Sequence, residues 1–160
     1  MPLAYSKEPQ DRQHYTQQYD AFYSRFANAY DWLVRFTPMW RNWLDNVLPW
    51  IQGPRVLEVS TGTGYLLTRY AGTYETYGID LNLDLALITR KNLLRSSQDS
   101  HTQVANVESL PYPWATFNSI VNTMSFTAYP DGSLALEEMS RVLKPGGRLV
   151  IEMTAVLVAV

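Results

Sequence analysis

Cysteine is absent from the 160 residues and histidine occurs twice, at His14 and His101. Those absences exclude a disulfide scaffold, a thiolate nucleophile, Cys-ligated zinc or iron–sulfur, and a His-rich metal centre. No excess of either charge is present. The net charge is −2 with 18% charged residues, which argues against a domain whose affinity comes mainly from phosphate contacts. Long apolar runs are missing too. The longest, Ala155 to Val160, falls far short of a membrane span, and the polar first ten residues lack the apolar core of a signal peptide. With 46% apolar residues the chain is not disordered. The expectation is a soluble, cytoplasmic protein of one compact domain, or at most one domain plus a short appendage.

Aromatic residues are plentiful but unevenly spread, with 12 of the 21 in the first 50 positions. Tyr15, Tyr19, Phe22, Tyr23, Phe26 and Tyr30 recur at steps of three and four, which is helix spacing. A second helical stretch is expected from about Asp31 to Val47, kinked or split by Pro38. Residues 1–53 therefore form a helical segment, either packed on the domain or serving as a lid. From residue 54 short apolar runs alternate with helical patterns. Strands are expected at Arg55–Ser60, Thr73–Asp80, His101–Ala105, Asn118–Thr123 and Arg148–Met153. Helices are expected at Tyr65–Ala71, Asp84–Ser96 and Ser133–Leu143, the last capped by Asp131 or Ser133 and stopped at Lys144-Pro-Gly-Gly147. Such alternation predicts an α/β fold, a Rossmann-like parallel sheet of five strands with right-handed crossovers.

In such a sheet the ligand lies beyond the carboxyl ends of the strands. After the first strand comes Glu58-Val-Ser-Thr-Gly-Thr-Gly64, where glycines let backbone approach a ligand. Asp80 ends the second strand, 18 residues beyond Gly62, placed for a ribose diol. Asn106 follows the third, where an amide can meet an adenine edge. Each is weak alone; a turn or cap role is the ordinary explanation of Asp80 or Asn106. Their order on successive strands is what points to a nucleoside. The third glycine of a dinucleotide fingerprint is missing, and Glu58 would repel a pyrophosphate. An acid there suits a ligand with a positive centre, an ammonium or a sulfonium.

Val56-Leu-Glu-Val-Ser-Thr-Gly-Thr-Gly64 resembles the first motif of class I S-adenosylmethionine-dependent methyltransferases. Gly78-Ile-Asp-Leu-Asn82 is similar to their second, and Asn106-Val-Glu-Ser-Leu-Pro-Tyr112 to the D-A-E-x-L-P-F segment of the small-molecule subset. Phe117-Asn-Ser-Ile-Val121 resembles their strand four, and Arg141-Val-Leu-Lys-Pro-Gly-Gly147 their closing signature. Tyr30-Asp31 resembles a Y-D found upstream in the quinone- and sterol-type enzymes. The resemblance implies a sheet order of 3-2-1-4-5 and S-adenosylmethionine as cofactor, with S-adenosylhomocysteine as product. By that resemblance Glu58, Ser60, Thr61, Gly62, Gly64, Asp80, Leu81, Asn106, Val107, Thr123 and Tyr30 bind the cofactor. It implies methyl transfer to a small-molecule acceptor, not nucleic acid. No residue declares itself as a base, although His14 and Tyr19 are candidates. Ser60, Asn106 and Asn118 depart from the usual Gly, Asp and Asp, and the two last strands of the family are not accounted for. Those departures keep open a non-catalytic interaction protein with the same fold. Leu149 to Val160, rich in β-branched residues, is expected to be one long edge strand that pairs with a second copy in a homodimer.

Overall fold

The structure, a computed structural model, describes residues 14, 15, 17, 18, 21, 24, 25, 37–153 and 156–159. It contains helix α1 (Pro38–Asp45), strand β1 (Arg55–Val59), helix α2 (Leu67–Tyr70), strand β2 (Glu75–Asp80), helix α3 (Leu83–Arg95) and strand β3 (His101–Val104). Strand β4 (Phe117–Thr123), helix α4 (Gly132–Val142), strand β5 (Leu143–Met153) and strand β6 (Val156–Ala159) follow. The sheet order is β3-β2-β1-β4-β5-β6. The first five strands are parallel throughout. The expected five-strand order is therefore present, with one antiparallel strand added.

Alternation decides which face each strand residue serves. Val56, Val121 and Val150 pack with Val47, Ile51, Leu66, Leu67, Tyr70 and Leu93 on one face. Leu57, Val59, Ile79, Phe117 and Ile120 pack with Ala135, Met139 and Val142 of α4 on the other. Burying each such side chain contributes about 1.5–3 kcal/mol. Among the described residues the central strands are thus packed on both faces, which leaves their carboxyl ends for a ligand.

Two expectations change and a third is narrowed. Of the kink or split expected at Pro38, the kink is not seen among the described residues. Pro38 is the first residue of α1, where its missing N–H costs nothing, and residues 31–36 lie outside the described ones. The Lys144-Pro-Gly-Gly147 stretch lies inside β5. Leu143 already pairs with Phe117, and the register then shifts until Arg148 meets Ser119. Finally, Leu149 to Val160 is not one strand. Val150–Met153 pairs antiparallel with Val156–Ala159, so the backbone groups of β5 in that stretch find partners within the chain. A homodimer joined through the β5 edge is not available there.

Candidate functional site

The turn after β1 is shaped by left-handed backbone. Ser60, Gly62 and Gly64 have φ of 57°, 57° and 72°. Glycine takes such angles freely, while a serine pays about 1–2 kcal/mol. The turn is gripped from α3, where Thr89 Oγ1 donates to Gly62 O at 2.9 Å and Asn92 Nδ2 to Thr63 O at 2.9 Å. A Cβ on Gly64 would stand 2.6 Å from Thr89 Cγ2. Gly64 therefore serves the approach of α3 to the turn.

Asp80, at the end of β2, is buried. Its Oδ2 accepts from Gly62 N at 2.8 Å and its Oδ1 from Asn82 N at 2.9 Å. The carboxylate thus joins the first turn to the start of α3. A carboxylate has about four acceptor positions, enough to take a ligand hydroxyl as well. Asn82 caps α3, its Oδ1 accepting from Leu85 N at 2.9 Å. Its Nδ2 reaches Ser24 Oγ at 2.8 Å. Asn106 makes a turn of its own, accepting from Glu108 N at 2.9 Å. Glu108 in turn accepts from Asp131 N at 2.8 Å, tying this loop to α4.

These elements enclose a principal cleft lined by Ser60, Gly62, Asp80, Leu81, Asn106, Val107 and Thr123, all anticipated from the sequence. Asn82, Leu85, Met124, Ser125, Tyr129 and Tyr15 line it as well. A smaller chamber adjoins it and shares Ser60, Gly62, Thr123 and Met124 as a common wall. Glu58 and Thr61 line that chamber and not the cleft. Gly64 lines neither, and Tyr30 and Tyr19 lie outside the described residues. His14 is exposed and bonded to Gln18 Nε2 at 2.8 Å. It does not line the cleft, so its candidacy as a base has no support. Of the aromatic residues expected on the first helix, Tyr15 lines the cleft.

Electrostatics separate the two spaces. Glu58 is almost fully buried. Loss of hydration pushes its carboxyl up to about 8, even though Tyr70 donates to it at 2.6 Å. A cation placed in the chamber would return it to the charged form. Beyond β4, Asn122 Nδ2 donates to Ser125 Oγ at 2.9 Å and to the Tyr129 hydroxyl. Tyr129 also touches Ser60 Oγ at 2.8 Å and Ser125 Oγ at 3.2 Å. Burial holds its phenol up at about 12. The sequence carried little signal for this cluster, because its members come from two strand ends and a loop. Met124, with φ of 60°, helps turn Ser125 and Tyr129 back toward Ser60.

Residues 57–151 match the family described as a methyltransferase domain. A ubiquinone/menaquinone biosynthesis C-methyltransferase of Geobacter sulfurreducens is 32% identical over 140 residues, covering 81% of this chain and 55% of that protein. Its namesake in Geotalea daltonii is 31% identical, covering 81% and 60%. The chain spans a little over half the length of these relatives. Among solved structures, an S-adenosylmethionine-dependent methyltransferase of Thermotoga maritima, described as a possible histamine N-methyltransferase, superposes with a TM-score of 0.69 at 24% identity. That match covers 82% of this chain and 59% of the other. The [4+2]-cyclase SpnF superposes with a TM-score of 0.62 at 25% identity, covering 69% and 42%. The open parallel sheet, its glycine turn and the acid ending β2 are those of a class I, Rossmann-like methyltransferase fold. The chain belongs to the methyltransferase-domain family.

Proposed function

We propose that this chain binds S-adenosylmethionine and transfers its methyl group to a small-molecule acceptor. The observation that carries this is the convergence of Ser60–Gly62, Asp80 and Asn106–Val107, from three successive strand ends, on one cleft. In this reading Asp80 takes the ribose hydroxyls and Asn106 with Val107 the adenine. Glu58, in the adjoining chamber, takes the ammonium of the methionine part. The chemistry of the donor set fits a cation, whose charge would favour the carboxylate form of Glu58 over the neutral form that burial alone favours. The cofactor supplies the methyl group on a sulfonium, and this chain's residues position and enclose it. In-line transfer depends mainly on such positioning. The names of the relatives favour an acceptor of the quinone-precursor kind, methylated at carbon. No helix among the described residues is long and apolar enough to cross a membrane, and a cytoplasmic reaction is part of the proposal.

Calorimetric titration with S-adenosylhomocysteine tests it. Wild type should bind, and Asp80→Ala should lose about 1.5–3 kcal/mol, the usual worth of a hydrogen bond to a charged group. Absence of binding by wild type would refute the reading. A second reading, the same fold without methyl transfer, is favoured by Ser60 in place of glycine and by the similarity to a cyclase. It predicts cofactor binding with no methyl transfer to any phenolic or quinol acceptor.

A further inference from the structure

The four polar side chains at the ends of β1 and β4 carry one proton more than their contacts use. The Asn122 amide brings two donor protons and the hydroxyls of Ser60, Ser125 and Tyr129 one each. Four contacts hold them together: Asn122 to Ser125, Asn122 to Tyr129, Tyr129 to Ser60 and Tyr129 to Ser125. Both amide protons are used inside the cluster. A phenol has one proton and two acceptor positions, so the three contacts at Tyr129 saturate it. It accepts from Asn122, accepts from one serine and donates to the other. The serine that receives the tyrosine's proton keeps its own to give away. Ser60 and Ser125 both line the principal cleft, so the surplus proton is offered there. Asn122 Oδ1 is buried without a partner, so the amide joins the cluster through its donor side alone.

We propose that this cluster offers an oriented serine hydroxyl to an oxygen anion on the methyl acceptor, with Ser60 and Ser125 as donors and Asn122 and Tyr129 as positioning residues. The proposal rests on the methyl-transfer reading and names the acceptor chemistry it requires: a phenol or enol methylated on the adjacent carbon. Such a carbon is nucleophilic when its neighbouring oxygen is ionised. The carbon–methyl bond forms as the sulfur–methyl bond breaks. The sulfonium becomes a neutral sulfide, and the ring carbon then gives up its hydrogen as a proton while the oxygen regains one. Phenolate plus sulfonium thus becomes methylated phenol plus sulfide. The carboxylate facing the cluster is Asp80, whose charge raises the Tyr129 phenol and opposes an anion. Glu58 stands behind the shared wall. Donors at this spot are what make an oxyanion tolerable beside Asp80. Tyr129, being saturated and firmly protonated, cannot itself be the base.

The test uses 4-nitrophenol, whose anion is yellow, titrated into the full chain saturated with S-adenosylhomocysteine. Wild type should bind the anion in preference to the neutral phenol, seen as a lowered apparent pKa of the bound dye. Tyr129→Phe leaves both serine hydroxyls present but unoriented, and should weaken that preference by less than loss of both hydroxyls does, while S-adenosylhomocysteine affinity stays within about threefold. Ser60→Gly, which relieves the left-handed strain and so folds readily, should weaken the preference in the same direction. Adding Ser125→Ala should bring the loss to about 10–100-fold, the range for a hydrogen bond to a charge. An unchanged dye pKa in wild type, or one indifferent to these variants, overturns the proposal and leaves methyl transfer standing. A large loss of S-adenosylhomocysteine affinity with an unchanged dye pKa also overturns it, by assigning the cluster to the cofactor. Failure of wild type to bind S-adenosylhomocysteine removes the underlying function instead.

Discussion

A carboxylic acid sealed in the sheet beneath a glycine turn is the least comfortable residue of this chain. Glu58 sits on the same face as Val56 and is covered by Tyr70, whose hydroxyl it accepts. Burial raises its carboxyl from an ordinary 4.5 to about 8. The folded state therefore holds the proton that the unfolded chain releases. That stability is full below about pH 4.5 and is lost as pH rises through about 8. In urea titrations between those limits, stability should fall with pH by at most about 1.4 kcal/mol per unit from this group. Glu58→Gln keeps an acceptor for Tyr70 and cannot ionise. It should match wild type near pH 4.5, exceed it at pH 8 and show a flatter profile. An equal slope in both proteins would place Glu58 in water rather than in the core.

At the scale of elements, the start of α3 is the joint on which the cleft depends. Asn82 caps the helix, holds Asp80 through its backbone N–H, and reaches Ser24 of the aromatic segment. Asn82→Ala removes the cap and the tie to Ser24 while leaving the N–H. Denaturant unfolding should show a loss of about 0.5–2 kcal/mol. Hydrogen exchange around Ser24 should rise by more than that around β1, and equal changes would deny the aromatic segment any hold at this joint. How much of this was legible follows from the kind of signal each element carries. Apolar runs closed by turn residues mark β1, β2 and β4 to within a residue or two at most ends, because burial on both faces demands them. Asp80 was legible for the same reason, as the first polar residue past such a run, whereas Asn106 follows the largely exposed β3 and was legible only from its place after a third strand. Alternating β-branched residues from Leu149 onward do not say where a strand doubles back, so β6 was missed. The joint from Asn82 to Ser24 spans 58 residues and leaves no local pattern. The Ser60–Tyr129 contact spans 69, and a serine at φ 57° is the reverse of what propensity suggests.

For the whole molecule, apolar side chains hold both faces of the sheet while its carboxyl end collects Glu58, Asp80, Asn122 and Glu152, all buried. The apolar faces thus supply the packing, and the carboxyl end holds the buried polar groups of the proposed site. Folding and binding should accordingly respond to pH in opposite senses. A ligand ammonium in the Glu58 chamber favours the charged carboxylate and lowers its pKa from about 8. Binding below pH 8 must then expel a proton, so affinity should rise with pH, by at most about tenfold per unit. The thermal shift given by a fixed concentration of S-adenosylhomocysteine should grow from pH 6 to pH 8, even as the free protein loses stability. Methylthioadenosine provides the control, since it keeps the ribose and adenine but lacks the amino-acid group. Its thermal shift should be smaller and nearly constant over that range. Calorimetry at pH 7 in buffers of different ionisation enthalpy should count close to one proton released with S-adenosylhomocysteine and none with methylthioadenosine. Equal proton counts for the two ligands would move the ammonium away from Glu58 and leave that acid a purely structural burden.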